Sequence, residues 1–335
     1  MVAGMDPQTP GARSGAQLAA RAHALLGPRH PVFAVATLTP DAVTVASRGA
    51  DLHADYEIAS VSKGITGLLY SDGLARGEIR DDATLGSLLP LGGTPAADVT
   101  LASVSTHRSG LPGLPRSAQP WRRTVALWRH GTNPYGETLA QLVEQARGVR
   151  VGRPRVRYSN FGFELLGHAV AGAAGMTYAD LVRERLARPL GLRGMYVPAT
   201  MDQLRPGALT GTTVGGRPRQ PWTGEALGPA GGIRARIWDM ARLAAGLLGG
   251  SAPGTAALDP VASLGMGTRI GAGWITTPVD GRTITWHNGG SGGFRSWFGL
   301  DRTAGTGAVI LTATAASVDR PGFALLAEQS GPAKG

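Results

Sequence analysis

Strand-like runs cluster at the two ends of this chain, and helix-like periodicity fills the middle. Near the N-terminus, residues 32–38 (Val-Phe-Ala-Val-Ala-Thr-Leu) read as a buried strand and residues 42–47 as its neighbour, with Pro40 and Asp41 in the turn. Strand signals return at 272–276, 283–286, 296–300 and 308–312, separated by Gly, Asp and Pro. Between them lie helical patterns at 138–147, 161–173, 178–187 and 237–248. A short helix is expected at 17–26 and a closing one at 321–329. The order strands, helices, strands is satisfied most simply by an α+β fold. One central antiparallel sheet, built from both chain ends and flanked by helices, would carry an inserted all-helical lobe. The expected division is a flexible segment at 1–17, a sheet lobe from 18–62 with 245–335, and a helical lobe at 63–244. The cleft between lobes is the expected ligand site.

Composition narrows the chemistry. The 335 residues contain no cysteine, which excludes disulfides, thiolate metal sites and a cysteine nucleophile. The 51 glycines and 23 prolines follow no fixed period, so a collagen or solenoid fold is excluded. The first residues show no basic region followed by an apolar stretch, and no apolar run is long enough to span a bilayer. A cytoplasmic protein without membrane attachment is therefore expected. The net charge of +10 comes from 31 arginines and only two lysines, Lys63 and Lys334. It reads as a solvated basic surface. The densest run, Arg147, Arg150, Arg153, Arg155 and Arg157, could alternatively steer an acidic substrate. No nucleic-acid partner is expected, since no recognition motif accompanies the charge and aromatics are only 6%.

In this arginine-rich background Ser60-Val61-Ser62-Lys63 stands out, at the start of a helix marked by Ile65, Leu68, Leu69 and Leu74. Residues three apart share a helical face, so hydroxyl and amine can meet. A serine hydroxyl needs a base to become a nucleophile. A lysine amine can be that base once burial or positive neighbours lower its pKa, whereas arginine stays protonated. The helix N-terminus adds unpaired N–H groups that favour developing negative charge, and the Ser60 N–H could donate to an oxyanion.

Two further segments carry polar groups. In Tyr158-Ser159-Asn160 the phenol could pass a proton if positive neighbours lower its pKa, and the amide could hold a substrate amide or the lysine. Read alone, the triplet is better taken as a core tyrosine beside a capping asparagine. His287-Asn288-Gly289-Gly290 follows a strand signal; its glycines admit a substrate to the backbone, and the Gly290 N–H could complete an oxyanion hole. Read alone, it is a glycine-rich turn.

Taken in order, S-x-x-K, Y-S-N and H-N-G resemble the signature of the serine β-lactamase and penicillin-recognising family, in the branch of class C β-lactamases, D-alanyl-D-alanine carboxypeptidases and related esterases. Further segments match in order, among them 74–82, Thr106-His107-Arg108-Ser109-Gly110-Leu111-Pro112, Pro229-Ala230-Gly231-Gly232-Ile233 and Gly271-Ala272-Gly273-Trp274, so the resemblance spans about 30–330. It implies a β-lactamase-like fold. It also implies Ser60 as acylated nucleophile, Lys63 as base, Tyr158 as proton shuttle and Asn160 as a substrate or lysine contact. The N–H groups of Ser60 and Gly290 become the oxyanion hole, and His107 a structural residue. His287 stands where the family's third motif has lysine. A histidine there, neutral at pH 7, holds a substrate carboxylate less firmly. The S-D-N element of class A enzymes is absent.

Rival readings are weaker. Gly289-Gly290-Ser291-Gly292-Gly293 fits G-x-S-x-G, but no histidine follows Ser291 to complete a hydrolase triad in that order. Glu164 and His168 lie four apart on one helix without a third ligand, so no metal is expected. A non-catalytic binding protein on this fold is disfavoured by the intact Ser60, Lys63 and Tyr158. The sequence thus predicts a serine acyl-enzyme hydrolase or acyltransferase without cofactor. Its substrate is a small ester or amide, and its acyl acceptor is water or an amine.

Overall fold

The computed structural model describes residues 12–114 and 131–331. The expected flexible segment falls outside them up to residue 11, as does Lys334. Residues 12–17, placed in that segment by their Gly and Ser content, instead begin helix α1 (Ala12–Leu26). Leu18, Ala22 and Leu26 bury one stripe of it against the sheet, and that packing outweighs the local composition.

The sheet has eight strands. β1 (Phe33–Leu38) and β2 (Val43–Arg48) form a hairpin. The small strand β3 (Asp55–Glu57) pairs with β4 (Arg234–Arg236) in a separate two-stranded sheet. From the other end of the chain come β5 (Ala262–Gly265), β6 (Thr268–Ile270), β7 (Ile275–Val279), β8 (Arg282–Gly290), β9 (Arg295–Asp301) and β10 (Thr306–Thr312). The order is β2-β1-β10-β9-β8-β7-β6-β5, antiparallel throughout. β1 and β10, from opposite chain ends, pair in register from Phe33 opposite Thr312 to Leu38 opposite Gly307.

These two strands are buried on both faces, hence their unbroken apolar runs. Phe33, Val35 and Ile310 face α1 and the last helix; Ala34, Ala36 and Val309 face the larger core. The remaining long helices are α2 (Val61–Ala75), α3 (Leu139–Arg147), α4 (Asn160–Ala173), α5 (Ile237–Leu248) and α6 (Asp319–Ser330). α5 packs on β1 and β10, so all of it belongs to the sheet side, and a lobe boundary at 244/245 would cut through it. Residues 178–187 form one α-helical turn, Tyr178–Leu181, that continues as a π-helix, Val182–Ala187.

α2 is the hub. Its residues are buried all round from Val61 to Tyr70, and it touches α4, β8 and β9. Gly67 lets it approach the 271–274 segment, since a Cβ there would lie 1.8 Å from the Ala272 carbonyl oxygen. Trp274, fully buried, then donates from Nε1 to the Gly64 carbonyl at 3.0 Å. α2 is thereby pinned between the lobes with its N-terminus at the β8 edge.

Candidate active site

Ser60 immediately precedes the first turn of α2, and its hydroxyl caps no helix N–H. The chain reaches it through Ala59, a non-glycine residue at φ 45°. Such a left-handed residue costs on the order of 1 kcal/mol. Here it turns Ser60 out of the β3 direction and onto the helix start. The Ser60 N–H makes no hydrogen bond among the described residues. Opposite it runs β8. A Cβ on Gly289 would lie 2.4 Å from the Ile58 carbonyl oxygen and 3.0 Å from the Ser60 nitrogen, so only glycine lets the two backbones close.

Lys63 is fully buried, and its Nζ donates to Ser60 Oγ at 3.1 Å and to the Ala230 carbonyl at 2.5 Å. The segment around Pro229 thus supplies the lysine's second partner. Burial lowers the Lys63 pKa to about 7, and the Glu164 carboxylate resists that fall. At neutral pH a large share of Lys63 is therefore unprotonated, as a base for Ser60 must be.

The Tyr158 ring packs tilted against His107 with centroids 4.6 Å apart, and Phe163 packs tilted against the same imidazole at 4.7 Å. The His107 Nδ1 accepts the Ser159 N–H at 3.2 Å, so this buried histidine clamps the loop that carries the tyrosine. Nearly half of the Tyr158 surface is exposed, yet its hydroxyl points inward and bonds Ser60. The expectation of a lowered pKa is corrected here. Enclosure of the hydroxyl raises it, the Ser60 bond only partly offsets this, and Tyr158 is a neutral phenol at pH 7. In that state it has a proton to donate and is not a standing phenolate. The Lys63 Nζ lies 4.8 Å from its ring centroid.

Ser159, not Asn160, caps α4, accepting the Gly162 N–H at 2.8 Å. Asn160 makes no bond to Lys63: its Nδ2 donates to the Tyr135 hydroxyl at 3.2 Å, and its buried Oδ1 has no partner among the described residues.

The segment from His287 to Gly290 is strand, not the turn its glycines suggested: β9 pairs with it from Phe298 opposite His287 to Arg295 opposite Gly290. His287 is buried, and its Nδ1 donates to the Asn288 carbonyl at 2.6 Å. Burial and the nearby Lys63 lower its pKa to about 4, so it carries no charge at pH 7. The Asn288 amide is committed as well, donating to both Asp319 carboxylate oxygens at 3.0 and 3.1 Å.

A cavity of about 240 Å³ brings Ser60, Tyr158, Asn288, Gly289 and Gly290 together with four residues the motifs did not indicate, Arg295, Ser317, Val318 and Asp319. Glu164 was also missed. It is buried one helical turn after Asn160 with Oε1 unpartnered, and burial raises its pKa to about 8. His168, its supposed co-ligand, pairs through Nε2 with the Glu225 carbonyl at 3.1 Å. Among the described residues no cluster of His, Asp and Glu could hold a metal ion. Ser291, the rival nucleophile, is buried and accepts the Phe294 N–H at 3.3 Å.

The arrangement is a hydroxyl held by a poised amine and a neutral phenol, at a helix N-terminus opposite a glycine edge. It defines a serine acyl-enzyme architecture, and comparison with known proteins gives the same class. The chain belongs to the β-lactamase family, whose pattern it matches over residues 34–329. It is similar to the D-alanyl-D-alanine-carboxypeptidase/endopeptidase AmpH of Escherichia coli (strain K12), 31% identical over 156 residues. That match covers 44% of this chain but only 38% of the relative's length. Penicillin-binding protein 4 of Amycolatopsis lactamdurans is 27% identical over 288 residues, covering 77% of this chain and 71% of the relative. The structure of a β-lactamase/D-alanine carboxypeptidase from Pseudomonas syringae superposes with a TM-score of 0.79 at 16% identity, covering 96% of this chain and 99% of that one.

Proposed function

We propose that the protein is a cytoplasmic esterase or transacylase that acylates itself on Ser60 with a small ester or amide and passes the acyl group to water or an amine. The observation that carries this reading is the Lys63 amine, fully buried and bonded to Ser60, with its pKa brought to about 7.

The neutral Lys63 takes the Ser60 proton as Oγ attacks the carbonyl carbon. The N–H groups of Ser60 and Gly290 receive the developing oxyanion. The leaving group takes a proton from the Tyr158 phenol, which is refilled from protonated Lys63. In the second half the acceptor gives its proton back along the same path, and Ser60 is regenerated. His107 holds Tyr158 in place throughout.

A second reading, D-alanyl-D-alanine carboxypeptidase or β-lactam hydrolysis, is favoured by the names of the relatives above. In the family the third-motif lysine would hold the substrate carboxylate, and here neutral His287 stands in its place. A panel of p-nitrophenyl esters, nitrocefin and a D-Ala-D-Ala peptide, each with and without an amine, separates these readings. Ester turnover with partition of the acyl group to amine supports the proposal. Turnover of nitrocefin or the peptide alone would replace it.

A further inference from the structure

We propose that Ser296 is a positioning residue of the oxyanion hole: its hydroxyl reaches across Gly289 to the Ile58 carbonyl and fixes the spacing between the Ser60 and Gly290 N–H groups. The proposal rests on the acyl-enzyme reading above and deepens it.

Those two N–H groups belong to different sheets. Ser60 follows β3, which pairs with β4 alone. Gly290 ends β8, in the eight-stranded sheet. Where the chain leaves β3, the Ile58 N–H is given to the Ile233 carbonyl at 3.1 Å, on the β4 side. No backbone hydrogen bond joins residues 57–60 to β8 or β9 among the described residues. Oxyanion donors act only when both meet the same oxygen at hydrogen-bond distance, so their spacing has to be held by side chains.

Ser296 supplies that join. It lies on β9 directly opposite Gly289 and is buried. Its Oγ donates to the Ile58 carbonyl at 2.7 Å. A Cβ on Gly289 would lie 2.3 Å from Ser296 Oγ and 2.4 Å from the Ile58 oxygen, so this hydrogen bond passes directly over the glycine. On one side of the bond the next residue after Gly289 is Gly290. On the other, only Ala59, held at φ 45°, separates Ile58 from Ser60. A bond anchored at these two points therefore sets how far the Gly290 N–H stands from that of Ser60.

Ser296 does not line the active-site cavity, so it acts through Gly289 and Ile58 and not on the substrate. A second tie, from the Ser291 hydroxyl to the buried Glu57 carboxyl, joins the two sheets one residue earlier without touching the Ile58 carbonyl. The Ile58 oxygen also accepts the Val61 N–H at 3.2 Å. Ser296→Ala thus leaves the sheets joined and that carbonyl partnered, and it should fold. Ser296→Cys, with only a weak donor in a similar volume, takes its place if it does not.

The test compares this variant with the wild type by three readouts. Acylation by a p-nitrophenyl ester, followed in the burst phase, should slow by roughly 10- to 100-fold, the scale of a misplacement of about 1 Å or of a weakened oxyanion donor. The substrate dissociation constant should stay within about threefold. The infrared band of a carbon-13-labelled acyl carbonyl on Ser60 should move to higher frequency, since a carbonyl with weaker hydrogen bonds is less polarised. Hydrogen exchange in the peptide covering residues 57–63 should quicken.

An unchanged carbonyl band or an unchanged acylation rate overturns the proposal, even where the melting temperature falls, because a merely structural role lowers stability and leaves the band in place. If the wild type forms no adduct on Ser60, the acyl-enzyme reading fails on that result alone. Hydrogen exchange then decides separately: faster exchange at 57–63 upholds Ser296 as the residue that holds the Ser60 segment, and equal exchange overturns it.

Discussion

Lys63 at the N-terminus of α2 and His287 on the β8 edge are two buried bases a short distance apart, and the protein treats them differently. Burial lowers both. Lys63 stops at about 7, its charged form favoured by Glu164 to the extent that this carboxyl, itself raised to about 8, is ionised. His287 falls to about 4 because its charged neighbour is Lys63, of the same sign, and only the Asn288 carbonyl opposes the fall. The same loss of water thus leaves one group titrating at neutral pH and removes the other from titration. The helix side of the site holds an amine that titrates near neutral pH, and the strand side holds an uncharged imidazole.

The largest effect should come from breaking the poise of Lys63. Lys63→Arg keeps a cation on Ser60 but cannot release its proton, so acylation should fall by roughly a thousandfold in stopped-flow burst measurements. Retention of the wild-type burst rate would mean that Lys63 is not the base.

His287 should show itself in stability. Its folded pKa, about 4, lies below the usual histidine value of 6.5, so the unfolded chain binds a proton between these pH values that the folded chain refuses. Its contribution is intact above pH 6.5 and is lost as pH falls toward 4. The full difference is worth about 3 kcal/mol. His287→Asn retains a donor for the Asn288 carbonyl and should flatten the acid limb in urea titrations at pH 4.5 and 7 by a comparable amount. His30, His107 and His168, also lowered by burial, will leave part of the slope in place.

Glu164 gives the smallest effect and the sharpest sign. Acylation requires neutral Lys63, so its rate should rise with pH through about 7. Glu164 is itself raised to about 8, so only its ionised minority favours protonated Lys63 near pH 7; Glu164→Gln removes that contribution, and the rising limb should move to lower pH by a fraction of a unit. Movement to higher pH would contradict the assigned interaction.

How much of this was legible in the sequence follows the same division. Ser60, Lys63 and Tyr158 were readable because a three-residue helical spacing and a local triplet encode them. The sheet built from both ends was readable because β1 and β10 are buried on both faces and so uniformly apolar. The short pair β3 and β4 was not. It is tied by Arg234 to Asp55 at 2.9 Å and to Glu57 at 3.2 Å, and a buried ion-pair network looks like surface in a sequence. His287 to Gly290 read as a turn because glycines punctuate chains, but pairing with β9 overrides that preference. Glu164 was visible only as a helical neighbour of His168, since its meeting with Lys63 depends on how α2 packs on α4. Arg295 was one of 31 arginines, distinguished only by the space Gly290 leaves for it.

The central claim, that Ser60 is the acylated nucleophile, is tested most directly by peptide mass spectrometry after treatment with a fluorophosphonate. The account predicts one adduct, on the peptide that contains Ser60, absent in Ser60→Ala and unchanged in Ser291→Ala. An adduct on Ser291, or labelling that persists in Ser60→Ala, would contradict it.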